Sequence, residues 1–278
     1  MFRFKKYHGA GNDFLIADNR DGSVSLSVDQ VRHLCDRHTG FGADGLMLLE
    51  DCPGKDFQMV FYNPDGSSGM MCGNGGRCIV AFAADQRIVA PGEHVSFSAS
   101  DGDHEADFSP VDGLGTRTVR LRMKDVAGIE SYAEENSFFL DTGTRHLVKF
   151  VTGLDGYPVL AEGPALRHDP RFAPAGTNVN FVEICPSADR TALRIRTFEK
   201  GVEYETLACG TGIVASAMAA WNSGVPPTSR EGDSVRYLLK AAIADLEVEF
   251  VPECSGGVFR AREVWLTGPA QFIGFVEV

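Results

Sequence analysis

Cys72-Gly73-Asn74-Gly75 stands just ahead of the apolar run Ile79-Val80-Ala81-Phe82-Ala83-Ala84. The phrase returns as Cys209-Gly210-Thr211-Gly212, ahead of Ile213-Val214-Ala215-Ser216-Ala217-Met218-Ala219-Ala220-Trp221. Read as helices, both segments begin at their cysteine, so each thiol stands where free backbone N–H groups and the positive end of the helix dipole converge. A thiol in that position ionises more readily than one in water. One such residue points to a nucleophile or a redox centre. Two, presented by matching elements, point to an acid and a base of one chemical type on opposite sides of a single substrate carbon.

Working outward, the two helices are embedded in short strands. Alternating or continuous apolar runs predict strands at 14–17, 46–49 and 57–62, then at 119–123, 138–140, 146–151, 179–184 and 193–198. After the second helix come 235–239, 244–250, 258–262, 264–267 and 272–276. A further helix is expected over 28–37, where Val31, Leu34 and Cys35 fall at helical spacing behind Ser27 as N-cap. A doubly wound sheet would need a helix after nearly every strand. The pattern reads instead as α+β, in two halves, each a curled sheet around a central helix. The glycine-rich stretch Asp112-Gly113-Leu114-Gly115 is the expected hinge.

Bulk properties narrow the class. The chain has 278 residues, 44% of them hydrophobic, with a formal charge of -12. That length suits two domains, and the absence of a basic cluster argues against nucleic acid or an anionic membrane as partner. The N-terminal segment lacks the pattern of a secretory signal, and no apolar run reaches membrane-spanning length. Seven scattered cysteines do not form a disulfide framework. A cytoplasmic protein with reduced thiols is expected.

The glycines after each cysteine leave the first-turn amides open, a natural seat for a carboxylate. Such a site would place a thiolate beside the α-carbon of an amino acid. The competing reading is of small residues at a tight strand-to-helix turn. His146, at the mouth of a strand, and Glu199, at the end of another, are residue types able to set a thiol's protonation state. Asn12, Asn63, Asn74, Asn178 and Asn180 all sit in or beside turns, where they could bond ammonium and carboxylate groups. No metal is expected, because the Cys72–Cys78 spacing is not that of a zinc site.

In order along the chain stand His8-Gly9-Ala10-Gly11-Asn12-Asp13-Phe14, Gly42-Ala43-Asp44-Gly45 and Tyr62-Asn63-Pro64-Asp65-Gly66-Ser67, then Met71-Cys72-Gly73-Asn74-Gly75-Gly76-Arg77-Cys78. The second half adds Gly176-Thr177-Asn178-Val179-Asn180-Phe181, Arg196-Thr197-Phe198-Glu199-Lys200-Gly201-Val202 and Glu205-Thr206-Leu207-Ala208-Cys209-Gly210-Thr211-Gly212. This ordered set resembles the diaminopimelate epimerases nearly end to end, whereas Cys-Gly-x-Gly alone also fits proline racemase relatives. The resemblance implies two pseudosymmetric halves, each a strand-rich, barrel-like sheet around a central helix, with the active site in the cleft between them. The halves are expected at 1–114, completed by the last strand at 266–278, and at 115–265.

It further implies epimerisation of LL-2,6-diaminopimelate to the meso form, a step in lysine and peptidoglycan precursor biosynthesis, by proton transfer between Cys72 and Cys209. His146 and Glu199 match positions that tune the thiols. Asn12, Asn63, Gly73, Asn74, Asn178, Glu199, Lys200, Gly210 and Thr211 match substrate contacts. A homodimer is implied, without pyridoxal phosphate, metal or other cofactor. Three positions depart from the family: Lys200 replaces an arginine, Gly45 a frequent glutamine, and Arg145 a proline. Lys200 keeps the charge but loses the planar fork that grips a carboxylate with two parallel bonds. The alternatives are a proline or hydroxyproline racemase, a binding protein without turnover, and a thiol-disulfide redox protein, the last disfavoured by the missing Cys-x-x-Cys.

Overall fold

The computed structural model describes residues 2–186 and 191–278. The chain divides into two compact units, Met1–Leu121 with Gly268–Val278, and Arg122–Thr267. The 112–115 turn lies inside the first of these. In the first unit the order is β1 (Arg3–Gly9), β2 (Asn12–Asp18), α1 (Val28–Cys35), β3 (Gly45–Glu50) and β4 (Phe57–Tyr62). It continues with α2 (Gly73–Asp85), β5 (Val95–Ala99), β6 (Gly102–Phe108) and β7 (Thr116–Arg122). The second unit runs β8 (Glu130–Tyr132), β9 (Ser137–Asp141), β10 (Arg145–Phe150), α3 (Val159–Arg167), β11 (Asn178–Pro186) and β12 (Thr191–Glu199). Then come β13 (Tyr204–Thr206), α4 (Gly210–Asn222), β14 (Ser229–Glu231), β15 (Ser234–Lys240), β16 (Asp245–Ser255) and β17 (Val258–Glu277).

Strand pairing shows that the units repeat one plan. β1 pairs antiparallel with β2, β2 parallel with β3, and β3 antiparallel with β4. β9 pairs antiparallel with β10, β10 parallel with β11, and β11 antiparallel with β12. Parallel neighbours cannot be joined by a hairpin and need a crossover. α1 fills that role between β2 and β3, and α3 between β10 and β11. The next parallel pairs, β4–β5 and β12–β15, are joined through α2 and α4. In the first unit β5, β6 and β7 continue antiparallel, and the C-terminal part of β17 pairs with both β7 and β1. This closes a barrel of eight strands.

Both crossover helices that start at a cysteine are core elements. Residues 73–84 of α2 are all buried, and residues 212–220 of α4 are buried as well. A helix apolar on all faces needs a shell around it. α2 packs on β1, β2, β3 and β6, and α4 on β9, β10, β11, β12, β15 and β16. α1 forms where expected, with Ser27 and Gln30 completing a capping box. α3 was not legible, because Gly163 and Pro164 interrupt its apolar pattern. The separate strands expected over 258–276 are one continuous strand, β17.

Candidate active site

In each unit the parallel pair starts, and the following antiparallel strand ends, at one rim of the sheet. In the first unit Phe14 lies opposite Gly45 and Leu46 opposite Tyr62, so the start of β2, the start of β3 and the end of β4 share a rim. In the second unit His146 lies opposite Asn178 and Val179 opposite Phe198. Matching the registers makes Phe14 the counterpart of His146, Gly45 of Asn178, and Asn63 of Glu199. Of these pairs, Asn63 and Glu199 are predicted polar residues in both units, while Phe14 and Gly45 match His146 and Asn178.

Cys72 is the N-cap of α2, with extended backbone, and its Sγ accepts the Gly75 N–H at 3.2 Å. Neither helix has an acidic residue in its first turn to occupy the open amides. Beside Cys72, the Arg77 guanidinium donates to Asn74 Oδ1 at 2.8 Å and to the Gly73 carbonyl at 3.2 Å. Asn74 Nδ2 in turn faces Asn12 Oδ1 at 3.4 Å, and Asn12 Nδ2 donates to Asp44 at 2.6 Å. The structure thus joins Asn12, Asn74 and the α2 N-terminus in one polar chain. Asn63 is held apart in its own turn, donating to Ser67 Oγ at 3.0 Å and the Ser68 carbonyl at 3.3 Å. Burial would raise the Asp13 carboxyl, but hydrogen bonds from Arg37 and Lys6 outweigh it and hold Asp13 below the usual carboxylate range.

Cys209 is the N-cap of α4 but accepts no capping bond from the helix backbone. Its Sγ lies 3.5 Å from Thr211 Oγ1. Thr211 Oγ1 is 3.0 Å from Thr144 Oγ1, and His146 Nε2 reaches both hydroxyls at 2.9 Å. His146 is fully buried, and burial pulls its pKa from 6.5 to about 3, so the ring is neutral near pH 7. The other side of the ring fixes its tautomer. Asn180 Oδ1 accepts from Thr197 Oγ1 at 3.0 Å, which leaves Asn180 Nδ2 donating to His146 Nδ1 at 3.1 Å and to the Leu147 carbonyl at 3.2 Å. Nδ1 is then an acceptor and Nε2 carries the proton toward the threonine hydroxyls.

The remaining predicted residues lie on the same rim. Asn178 Nδ2 donates to the Arg145 carbonyl at 3.1 Å, and its Oδ1 accepts the Lys200 N–H at 2.9 Å. Glu199 accepts from Thr206 Oγ1 at 2.7 Å. The Lys200 side chain is exposed. Two departures from the family pattern have local causes. A Cβ on Gly45 would stand 2.3 Å from Phe61 Cε2, so the Phe61 ring fills the space a side chain would need. Arg145 donates to the Phe172 carbonyl at 3.1 Å and stacks on Phe139, 5.1 Å from its centroid, which is a structural role.

Sequence reading assigned no role to Thr144, Thr197 or Arg77. Thr197 lies inside a quoted stretch and Thr144 in none, and only the folded chain shows that Thr144 bonds His146 and that Thr197 reaches it through Asn180. Arg77 lies inside the quoted motif, but nothing in the sequence indicates that it is fully buried. Among the described residues, no group of three His, Cys, Asp or Glu side chains is placed to hold a metal ion, and no helix is long and apolar enough to cross a membrane.

Comparison with known proteins bears on this arrangement. The sequence profile described as diaminopimelate epimerase matches residues 4–120 and 138–249. The chain is 42% identical to the diaminopimelate epimerase of Chlorobaculum tepidum over 269 residues, covering 95% of this chain and 96% of that protein. It is 39% identical to that of Flavobacterium psychrophilum, with 96% of each covered. Among solved structures, a phenazine biosynthesis protein of the PhzF family from Bacillus anthracis has a TM-score of 0.75 at 12% identity, covering 100% of this chain and 98% of that one. A probable proline racemase from Agrobacterium radiobacter K84 has a TM-score of 0.66 at 18% identity, covering 100% and 93%. At such identities the structures share the fold, and the two named relatives carry the family.

Proposed function

The chain belongs to the diaminopimelate epimerase family, which converts LL- to meso-diaminopimelate in lysine biosynthesis, and from that premise we propose that Cys72 and Cys209 carry the two proton transfers. The protein is an isomerase acting on this small amino acid. One thiolate removes the α-hydrogen from one face, while the other thiol delivers a proton to the opposite face. The reverse reaction exchanges their roles. The single observation that carries this reading is that both cysteines are N-caps of equivalent buried helices in two units of one plan.

The chemistry fits the surroundings. The α-hydrogen of an amino acid is weakly acidic, so negative charge developing toward the carboxylate must be stabilised. The first-turn amides of α2 and α4, from Gly73-Asn74 and Gly210-Thr211, are oriented donors of the type that performs this task. A thiol's reference pKa of about 8.5 can be brought near neutrality, which suits both acid and base roles. His146 holds the Thr211 hydroxyl beside Cys209, and Glu199 stands at the same rim as a second tuning group. Asn12, Asn63, Asn178, Glu199 and Lys200 bind the amino and carboxylate groups, with Lys200 supplying a point charge at the distal end. No pyridoxal phosphate or metal takes part in this scheme. A cytoplasmic setting suits two thiols that must remain reduced, and the expected assembly is a homodimer, to be checked by sedimentation.

A chiral assay on LL-diaminopimelate without added cofactor tests the reading. Meso product from the parent protein and none from Cys72→Ser or Cys209→Ser is expected. Full activity in either variant would remove the two-thiol scheme, and turnover of proline in place of diaminopimelate would reassign the substrate.

A further inference from the structure

Arg77 is the buried charge that the proton-transfer scheme does not use. Its side chain is fully buried, and among the described residues no carboxylate lies within ion-pairing distance of it. Its acceptors are all neutral: Asn74 Oδ1, the Gly73 carbonyl, and the Pro269 carbonyl at 3.4 Å. A buried guanidinium without a paired anion is costly, and arginine does not escape by losing its proton. Folds tolerate this where an anion arrives in the working state.

The geometry indicates which anion. The guanidinium folds back onto the first turn of α2 and holds the carbonyl of Gly73, the residue directly after Cys72. Burial pulls Arg77 down from its ordinary value, and negative charge on Cys78 or on Cys72 pushes it back up. That coupling is reciprocal: whatever Cys72 as thiolate does for Arg77, Arg77 does for the thiolate. Cys78 is not the recipient, because its own complete burial drives its thiol well above the ordinary range. Cys72 is half-buried and already accepts the Gly75 N–H. On the Asn12 side of α2, Asp13 is bound by Lys6 at 2.8 Å and Arg37 at 2.7 Å, and Asp44 is bound by Arg37 at 2.6 Å. These compensate one another.

The α4 helix carries no such charge. Counting from each cysteine, Val214 occupies on α4 the place that Arg77 occupies on α2, and Val214 is fully buried. Thr211 Oγ1, 3.5 Å from Cys209 Sγ, is backed by the neutral His146 imidazole.

We propose that Arg77 is the counter-charge of a Cys72 thiolate, so that the resting enzyme holds Cys72 ionised and Cys209 as the neutral thiol. Arg77 is a positioning residue in this scheme, acting through Cys72. The inference rests on the two-thiol reading for its catalytic meaning, but its test needs no turnover.

Alkylation by iodoacetamide, followed by mass spectrometry at each cysteine across a pH series without substrate, reads the two thiols separately. In the parent protein the midpoint for Cys72 falls at least about one pH unit below that for Cys209, the lower end of the shift an adjacent opposite charge produces. Arg77→Gln raises the Cys72 midpoint by about one unit or more and leaves Cys209 in place, whereas Arg77→Lys restores most of the shift. A midpoint for Cys209 equal to or below that of Cys72 overturns the proposal, as does an unmoved Cys72 in a folded Arg77→Gln. If that variant does not fold, the comparison within the parent protein decides. Loss of the two-thiol reading would show itself elsewhere, as epimerase activity surviving Cys72→Ser.

Discussion

Where the second unit has His146, Asn180 and Thr197 at matched strand positions, the first has Phe14, Met47 and Phe61. The first trio is joined by hydrogen bonds, and in the second Phe14 and Phe61 pack edge to face with centroids 5.9 Å apart. The helices reverse the contrast: α2 buries Arg77 and α4 buries Val214. A buried charge thus stands on the helix of the first unit, and a buried hydrogen-bonded trio on the sheet of the second. One plan of strands and helices presents two thiols with different surroundings. Inversion by removal from one face and delivery to the other needs two proton carriers, and at any moment they must hold opposite protonation states.

Several substitutions break or sharpen this contrast. The largest effect belongs to the thiols, the feature the units share. Cys72→Ala and Cys209→Ala should each lower kcat by about 10³-fold or more, within the range of a positioned acid or base, measured by chiral chromatography of product. Copying the first unit's charge into the second comes next. Val214→Arg would bury a guanidinium without the Asn74–Asn12–Asp44 chain that serves Arg77, and should cost about 3–5 kcal/mol or abolish folding, as seen by urea denaturation.

A matched glycine pair separates the helix starts more finely. A Cβ at Gly212 would stand 2.3 Å from Asn180 Oδ1, which is tied to Thr197, whereas at Gly75 the nearest atom is Cys72 Sγ at 3.2 Å. Gly212→Ala should cost about 1–3 kcal/mol and disturb the His146 chain, while Gly75→Ala should change stability by about 1 kcal/mol or less. Thermal denaturation of the two variants checks the difference.

The smallest effect is a pH slope. Burial lowers His146 from 6.5 to about 3, so between those values the folded protein binds fewer protons than the unfolded chain. Stability from this group is fully present above pH 6.5 and is lost as pH falls toward 3. Between pH 6.5 and about 5, above the range where carboxylates titrate, the slope should approach 1.4 kcal/mol per unit. His146→Gln should flatten it, measured as denaturation free energy against pH.

Much of the architecture was legible because the two cysteine phrases are so alike and the apolar runs behind them are long. Cys72 and Cys209 could be chosen from seven cysteines on that ground alone. α3 was not legible, since Gly163 and Pro164 hide its pattern, although a parallel pairing of β10 with β11 requires some crossover there. The polar chain from Thr197 to Thr211 was hidden for another reason. Its members come from β10, β11, β12 and α4, and only the register of the sheet aligns them. Arg77 was visible as a letter in a motif, but its meaning depends on burial, which spacing along one helix does not reveal. Gly45 looked like a weakened substrate contact, and the structure shows instead that Phe61 has taken the room.

The most direct test of the two-thiol account is a short incubation of LL-diaminopimelate with the enzyme in deuterated water, with deuterium then located by mass spectrometry. The account predicts meso product carrying deuterium at the inverted carbon, while the unreacted LL pool remains undeuterated at early times. Product that keeps its original hydrogen, or substrate that gains deuterium as fast as product forms, would mean a single base works one face and would contradict the account.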